Sequence, residues 1–92
     1  MQDTILTKVK KIQGISHDEF DETIMGWISA AKLDLIGIGI VNTLVNNPDS
    51  LIETAIITYV LSNLDVSNSE LYANSYSLQK DTLRRMGNYN KV

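Results

Sequence analysis

Residues 20–35 read FDETIMGWISAAKLDL and carry the widest apolar stripe in the chain. The apolar positions recur at steps of four, three, one, three and four, which places them along one face of an α-helix. They are Phe20, Ile24, Trp27, Ile28, Ala31 and Leu35. Just before them, Ser16 and Glu19 form a capping-box pattern. We therefore predict that this helix begins at Ser16 and is the main helix of the core.

The sequence before this segment predicts a short first helix over residues 4–13. Its apolar residues lie three or four positions apart, and Gly14 can take the left-handed conformation that ends a helix. On the other side, Gly37 and Gly39 interrupt the helical spacing. The β-branched residues around them favour a short strand or an extended loop. We predict an irregular or hairpin-like connection near residues 37–47.

A second strongly apolar helix is predicted after Pro48, a residue suited to a first helical turn. Ser50 and Glu53 form another capping-box pattern at its start. The apolar positions spread too widely around the helix for one side to be solvated, so we expect it to be sandwiched between others. These positions include Leu51, Ile52, Ala55, Ile56, Tyr59 and Val60.

A last helix is predicted from Ser67 or Asn68, either of which can cap it, to about Met86. Its apolar stripe is mixed with polar residues and includes Leu83. Gly87 is a natural stop.

Together these patterns predict an all-α fold, a compact bundle of about four helices in a single domain over residues 1–92. The polar tail, residues 87–92, is expected to be mobile unless something outside the domain binds it. Loss of the last five residues should then leave the fold intact. The predicted core comprises Phe20, Ile24, Trp27, Ile28, Ala31, Leu35, Ile52, Ile56, Tyr59, Val60 and Leu83.

The composition argues against several kinds of chemistry. The chain has no cysteine, which excludes disulfides, thiolate nucleophiles and the usual structural zinc sites, and His17 is its only histidine. The acidic residues within 18–22 lack the ligand spacing of a calcium loop and suit the positive end of a helix instead. We predict no catalytic residue, no metal site and no cofactor. No apolar run reaches about 18 residues, so we expect no membrane span.

Charge is segregated along the chain, whose net charge is −3. Residues 1–17 carry +2, residues 18–79 carry −8 and residues 80–92 carry +3. Such asymmetry suits a subunit that meets copies of itself or a charged neighbour, but it also suits solvated helix faces that have no partner. The basic last turns leave a second hypothesis open, a small helical nucleic-acid-binding regulator that uses its C-terminal helix.

Five segments occur in an order that is more specific than any one of them. They are DEFDE at residues 18–22, ISAAKLDL at 28–35, PDSLIETAIITYV at 48–60, SYSLQKDTL at 75–83 and GNY at 87–89. In this order they resemble the small head-tail connector, or adaptor, proteins of long-tailed bacteriophages. The resemblance covers most of the chain.

The resemblance implies an all-helical structural subunit, not an enzyme, that forms a homo-oligomeric ring of twelve copies beneath the portal protein. Genomic DNA would pass through the ring without sequence-specific binding, and the ring would dock the next head-completion or tail-completion protein. The implied location is the head-tail interface of the virion, after assembly in the host cytoplasm. The C-terminal segment of such proteins commonly engages the portal. The residues expected to contact the portal or a neighbouring subunit are therefore Lys80, Arg84, Arg85, Tyr89 and Asn90.

Overall fold

Each apolar stripe of the sequence forms a helix in the computed structural model, which describes residues 4–89. The five α-helices are α1 (Thr4–Gln13), α2 (Asp21–Gly37), α3 (Asn42–Asn46), α4 (Ser50–Leu64) and α5 (Ser69–Arg85). Short 3-10 turns cover Val66–Asn68 and Gly87–Tyr89. The described residues contain no strand, so the predicted all-α class is confirmed, and four of the helices are long enough to form the bundle. None of the helices within residues 4–89 is both long and apolar enough to cross a bilayer.

The first helix has the predicted bounds. Gly14 follows it with a φ of +69°, a conformation that residues with a Cβ rarely adopt. This turn lets the Ile15 N–H donate to the Lys10 carbonyl oxygen at 2.8 Å, which closes the C-terminal end of α1. The chain then reverses towards α2.

The second helix begins at Asp21, so the prediction that it begins at Ser16 is wrong. The expected capping box does not form, because the N-cap residue is Phe20 and no side chain caps the helix. Lys10 forms ion pairs with the carboxylates of Asp18 and Asp21, each at 2.8 Å. These contacts hold the residues before α2 against α1 and delay the start of the helix.

The connection near residues 37–47 is irregular, as predicted, and contains one short helix, whereas the alternative of a strand or hairpin is not formed. Gly39 has a φ of +106° and turns the chain away from α2. The Val41 N–H then donates to the Tyr89 carbonyl oxygen at 2.8 Å, and the short helix α3 follows. Ile40 and Val45 are completely buried by this arrangement, because α3 packs against α2.

The central helix is α4, which contacts α1, α2 and α5, whereas the sequence indicated the second helix as the main one. Its buried residues lie on nearly all sides and include Ile52, Ala55, Ile56, Val60 and Leu61. The predicted capping box from Ser50 is also replaced. The N-cap is Asp49, whose carboxylate accepts a hydrogen bond from the Ile52 N–H at 3.1 Å.

Eight of the eleven predicted core residues are buried. They are Ile24, Ile28, Ala31, Leu35, Ile52, Ile56, Val60 and Leu83. Trp27 and Tyr59 are only partly buried and pack against the edge of the core. Phe20 was assigned to the core wrongly: 48% of it is exposed, because it precedes the helix and is not carried on its buried face.

The C-terminal turn belongs to the core as far as it is described, so the expectation of a mobile tail is wrong for residues 87–89. Tyr89 is buried, and its hydroxyl donates a hydrogen bond to the carboxylate of Asp49. That bond, with the Ile52 N–H, holds the pKa of Asp49 below its usual range, and the same bond raises the pKa of Tyr89. Asn90 lies outside the described residues.

Gly26 and Gly14 provide a matched test of how the backbone conformation of a glycine determines the effect of adding a Cβ on stability. Gly26 lies inside α2 with open space where a Cβ would project, whereas Gly14 combines open space with a positive φ. Gly26→Ala should raise the free energy of unfolding by up to about 1 kcal/mol, and Gly14→Ala should lower it by about 1 kcal/mol. Urea denaturation followed by circular dichroism measures both. A loss of stability in Gly26→Ala would show that α2 is not a regular helix at this point.

Because the C-terminal turn is buried, we now expect that loss of the last five residues would destabilise the fold. Tyr89→Ala should lower the free energy of unfolding by about 3 kcal/mol, since it empties a buried aromatic site. Tyr89→Phe keeps the ring and loses only the hydrogen bond to Asp49, so it should lower the free energy of unfolding much less than Tyr89→Ala does. Urea denaturation of both variants separates packing from hydrogen bonding. Unchanged stability in Tyr89→Ala would mean that the turn is not docked.

Candidate functional site

The first candidate surface is the basic half of α5, where Lys80 is already engaged within the chain. Its ammonium nitrogen lies 3.1 Å from Oδ2 of Asp34 and 4.8 Å from the centre of the Tyr76 ring. The Tyr76 hydroxyl donates to the same carboxylate oxygen at 2.7 Å. Lys80 therefore joins α5 to α2, which limits its availability for the docking role predicted from the sequence.

In the cluster of Asp34, Tyr76 and Lys80, the carboxyl group of Asp34 stays ionised and the hydroxyl group of Tyr76 stays protonated near neutral pH. Burial favours a raised pKa for Asp34, but the hydrogen bonds from Tyr76 and Lys80 outweigh it and keep that pKa below its usual range. Burial, together with donation to Asp34, raises the pKa of Tyr76 far above that of a free tyrosine. Tyr76 is consequently a permanent donor and Asp34 a permanent acceptor near neutral pH.

Arg84 and Arg85 are the exposed cations of the last turn of α5. Their side chains are 56% and 76% exposed. Both guanidinium groups contact Asp81, at 3.3 Å from Arg84 and 2.5 Å from Arg85. One carboxylate thus serves two cations, and this end of the helix keeps a net positive charge.

The basic N-terminal segment is also paired with the acidic middle of the chain. Lys8 lies 2.5 Å from Glu53 on α4. The hydrogen bonds of Lys10 with Asp18 and then Asp21 raise the pKa of this lysine, and the bond from Lys10 lowers the pKa of Asp18. Part of the charge segregation in the sequence therefore serves contacts within the bundle.

The segment before α2 forms the second candidate surface, which we call the acidic elbow, residues 17–22. Asp18 and Glu19 have side chains that are 87% and 81% exposed. Phe20 projects among them with its ring edge-on to that of His17, at 5.3 Å between ring centres. Between the elbow and α1 is an open hollow of about 430 Å³, lined by residues that include Lys10 and Asp18. No group of three potential metal ligands occurs among residues 4–89.

The third surface is a groove between α4 and α5 that the sequence did not indicate. We call it the α4–α5 groove; its volume is about 290 Å³. Its walls are formed by Leu51, Thr54, Gln79, Thr82 and Leu83. The sequence places Leu51 in an apolar stripe, but 48% of it is exposed at this groove. The apolar stripe that contains Leu51 is thus a sequence feature of the groove, but the same pattern is typical of a buried core residue.

Gln79 adds a polar feature to the α4–α5 groove. Its Oε1 atom is buried, and no hydrogen-bond donor reaches it from the described residues. A buried amide oxygen without a donor is destabilising, so this atom lowers the stability of the junction between α4 and α5.

The carboxylate of Asp34 provides a test by pH. Folding lowers the pKa of Asp34, so its ionised form stabilises the fold above the usual carboxyl range, and this stabilisation is lost as the pH falls below about 4. Asp34→Asn should lower the free energy of unfolding at pH 7 by about 1 kcal/mol, a value reduced by the partial exposure of the cluster. It should also weaken the loss of stability between about pH 5 and pH 2.

Urea denaturation across that pH range measures both effects. Glu70→Gln, which removes one exposed carboxylate on the first turn of α5, controls for the change in net charge. An Asp34→Asn profile parallel to that of the unchanged chain would contradict the role given to this cluster.

The profile of a family described as phage connector protein matches residues 5–86. The match includes all of α2 to α5 and all but the first residue of α1, so it covers the whole bundle. No curated protein and no solved structure matches the chain. The resemblance found in the sequence is confirmed by the family match. The chain belongs to the phage connector protein family and has the structural role of a head-tail connector.

Proposed function

We propose that this protein is the subunit of a ring that lies beneath the portal, extends the channel for DNA and docks the next neck or tail-completion protein. The observation that carries the proposal is the family match over residues 5–86, which leaves no helix of the bundle outside it. A ring of twelve copies is the stoichiometry that the family resemblance suggests. The proposed role requires shape and surface and no catalytic group.

The surfaces of the molecule support assembly by unlike contacts. The acidic elbow and the α4–α5 groove differ in shape, charge and polarity, and each exposes one large apolar side chain, Phe20 in the elbow and Leu51 in the groove. Contacts between two different patches propagate from copy to copy and produce a ring when the rotation closes. A two-fold dimer would instead bring one patch against itself.

The charge of the protein suits a channel through which DNA slides. Duplex binding depends on cations that neutralise phosphates, and this chain has a net charge of −3. Lys8, Lys10 and Lys80 are engaged by carboxylates of their own chain. The net negative charge of the chain therefore favours weak binding to a duplex.

Docking to the portal is assigned to the last turn of α5, because Arg84 and Arg85 are exposed there. Lys80 and Tyr89 are not part of this proposed contact, since the first is paired with Asp34 and the second is buried. Asn90 remains a predicted contact residue outside the described part of the chain.

Electron microscopy of the protein mixed with the portal of the same phage tests the ring. We expect closed rings on the portal and, in purified virions, density for this protein at the neck. Failure to form rings with the portal, or absence of the protein from virions, would refute the proposed function.

Duplex binding tests the alternative of a nucleic-acid regulator. A regulator should bind duplex DNA tightly at low salt and lose affinity steeply as salt rises. We expect weak binding at any salt concentration, measured by fluorescence anisotropy of a labelled duplex. Arg84→Ala and Arg85→Ala should then leave duplex affinity unchanged while weakening attachment to the portal. Tight binding that these variants abolish would favour the regulator instead.

A further inference from the structure

Arg85, the more exposed arginine of the proposed portal contact, lies between two buried residues. Its side chain is 76% exposed. Leu83 is buried two positions before it, and Tyr89 is buried four positions after it. A helix end that is surrounded by solvent frays, whereas an end that is followed by a buried residue is held from both sides. The burial of Tyr89 therefore affects the part of α5 that carries Arg85.

The chain leaves α5 by a path that folds back on the end of the helix. Met86 has an extended backbone, with φ of −91° and ψ of 107°, so α5 ends at Arg85. The Met86 N–H donates to the Leu83 carbonyl oxygen at 3.2 Å, and the Tyr89 N–H donates to the Met86 carbonyl oxygen at 3.0 Å. The Met86 side chain is partly buried against the core. The turn is thus bonded to the last turn of α5 on one side and carries Tyr89 on the other.

Tyr89 joins this turn to two other parts of the bundle. Its hydroxyl donates to the carboxylate of Asp49, which is the N-cap of the central helix α4. Its carbonyl oxygen accepts the Val41 N–H at 2.8 Å, just before α3. Tyr89 therefore fixes the end of α5 against the start of α4 and against the connection between α2 and α4.

A fixed helix end matters for a residue that docks a ring onto another protein. Every copy in a ring must present the same residue in the same place. A contact that is ordered before binding also loses less conformational entropy when the partner binds. The guanidinium of Arg85 is held by Asp81 at 2.5 Å, but Asp81 belongs to the same end of α5. This ion pair orients Arg85 within the helix and does not fix the helix end in the bundle.

We propose that Tyr89 is a positioning residue for the portal contact. Its bonds to Asp49 and Val41 hold the last turn of α5 so that Arg85 keeps one position relative to α4. Tyr89 acts through Arg85 and does not touch the portal. The inference rests on the proposed function and explains how a buried C-terminal residue takes part in docking.

Hydrogen exchange of the free protein, followed by NMR, tests the positioning without the portal. Tyr89→Phe keeps the ring and removes the hydrogen bond to Asp49. Exchange at the amides of Arg85 and Met86 should become about fivefold faster, the lower end of the couplings measured between sites. Exchange at the Tyr76 amide, in the middle of α5, should not change. Equal exchange at Arg85 in both proteins would refute the positioning.

Affinity for the portal of the same phage, measured by surface plasmon resonance, tests the docking role. Tyr89→Phe should weaken binding about fivefold while its circular dichroism spectrum stays that of the unchanged chain. Tyr72→Phe is the matched control, because it removes one phenolic hydroxyl and no charge at the other end of α5. It should bind the portal like the unchanged chain.

A double-mutant cycle distinguishes positioning from a general loss of stability. Arg85→Ala should weaken binding, and adding Tyr89→Phe to it should cause no further loss, because the residue through which Tyr89 acts is already absent. A general structural defect would instead weaken binding equally in both backgrounds, which would refute the proposal.

The same measurements separate the positioning role from the proposed function. If the unchanged chain does not bind the portal, the proposed function is refuted and the docking role of Tyr89 with it. If the unchanged chain binds and Tyr89→Phe binds equally well, only the positioning role is refuted.

Discussion

The burial of α4 on nearly every side is the constraint on which the bundle depends. A helix that is apolar all round must be covered all round, and no single neighbour can do so. In this protein α1, α2 and α5 share the task. The polar links between elements follow from that arrangement: Lys8 reaches Glu53 on α4, and Tyr76 and Lys80 join α5 to Asp34 on α2. The described polar contacts thus fix the register of helices that apolar packing brings together.

Asp49 couples the start of the central helix to the C-terminal turn. Its carboxylate caps α4 through the Ile52 N–H and accepts the Tyr89 hydroxyl, while the Tyr89 carbonyl oxygen accepts the Val41 N–H. Three connections of the chain therefore meet at one point. Such a junction stabilises the irregular segment between α2 and α4, which lacks a long helix of its own.

Periodicity predicted the helices well because the spacing of apolar residues is a local property. Residues 4–13 and the buried stripe from Ile24 to Leu35 follow from that spacing alone. The start of α2 does not follow from spacing alone. The capping box predicted at Ser16 is replaced by the ion pairs of Lys10 with Asp18 and Asp21, and these pairs exist only in the folded bundle, where α1 lies against the residues before α2. Likewise, no local pattern distinguishes Leu51, which borders a groove, from a core residue.

The predicted docking residues illustrate the same limit. Arg84 and Arg85 are exposed as a polar helix end should be, but Lys80 and Tyr89 are engaged by Asp34 and Asp49, some forty or more positions away in the chain. Contacts between residues so far apart in the chain can be identified only from the tertiary structure. The local sequence indicates which side chains carry charge, and the fold decides which of them a partner can reach.

The molecule measures 42 × 32 × 18 Å, so its shortest dimension corresponds to about two layers of packed helices. In such a thin plate the outer helices present much of their length to solvent, whereas the central helix is exposed only at Ser50, Leu51, Thr54 and Asn63. We therefore expect adaptation to a different capsid or tail at the exposed positions of the outer helices, because substitutions at the buried positions of α4 would cost packing energy. Coevolution with neighbouring neck proteins should be recorded in the outward positions of α2 and α5.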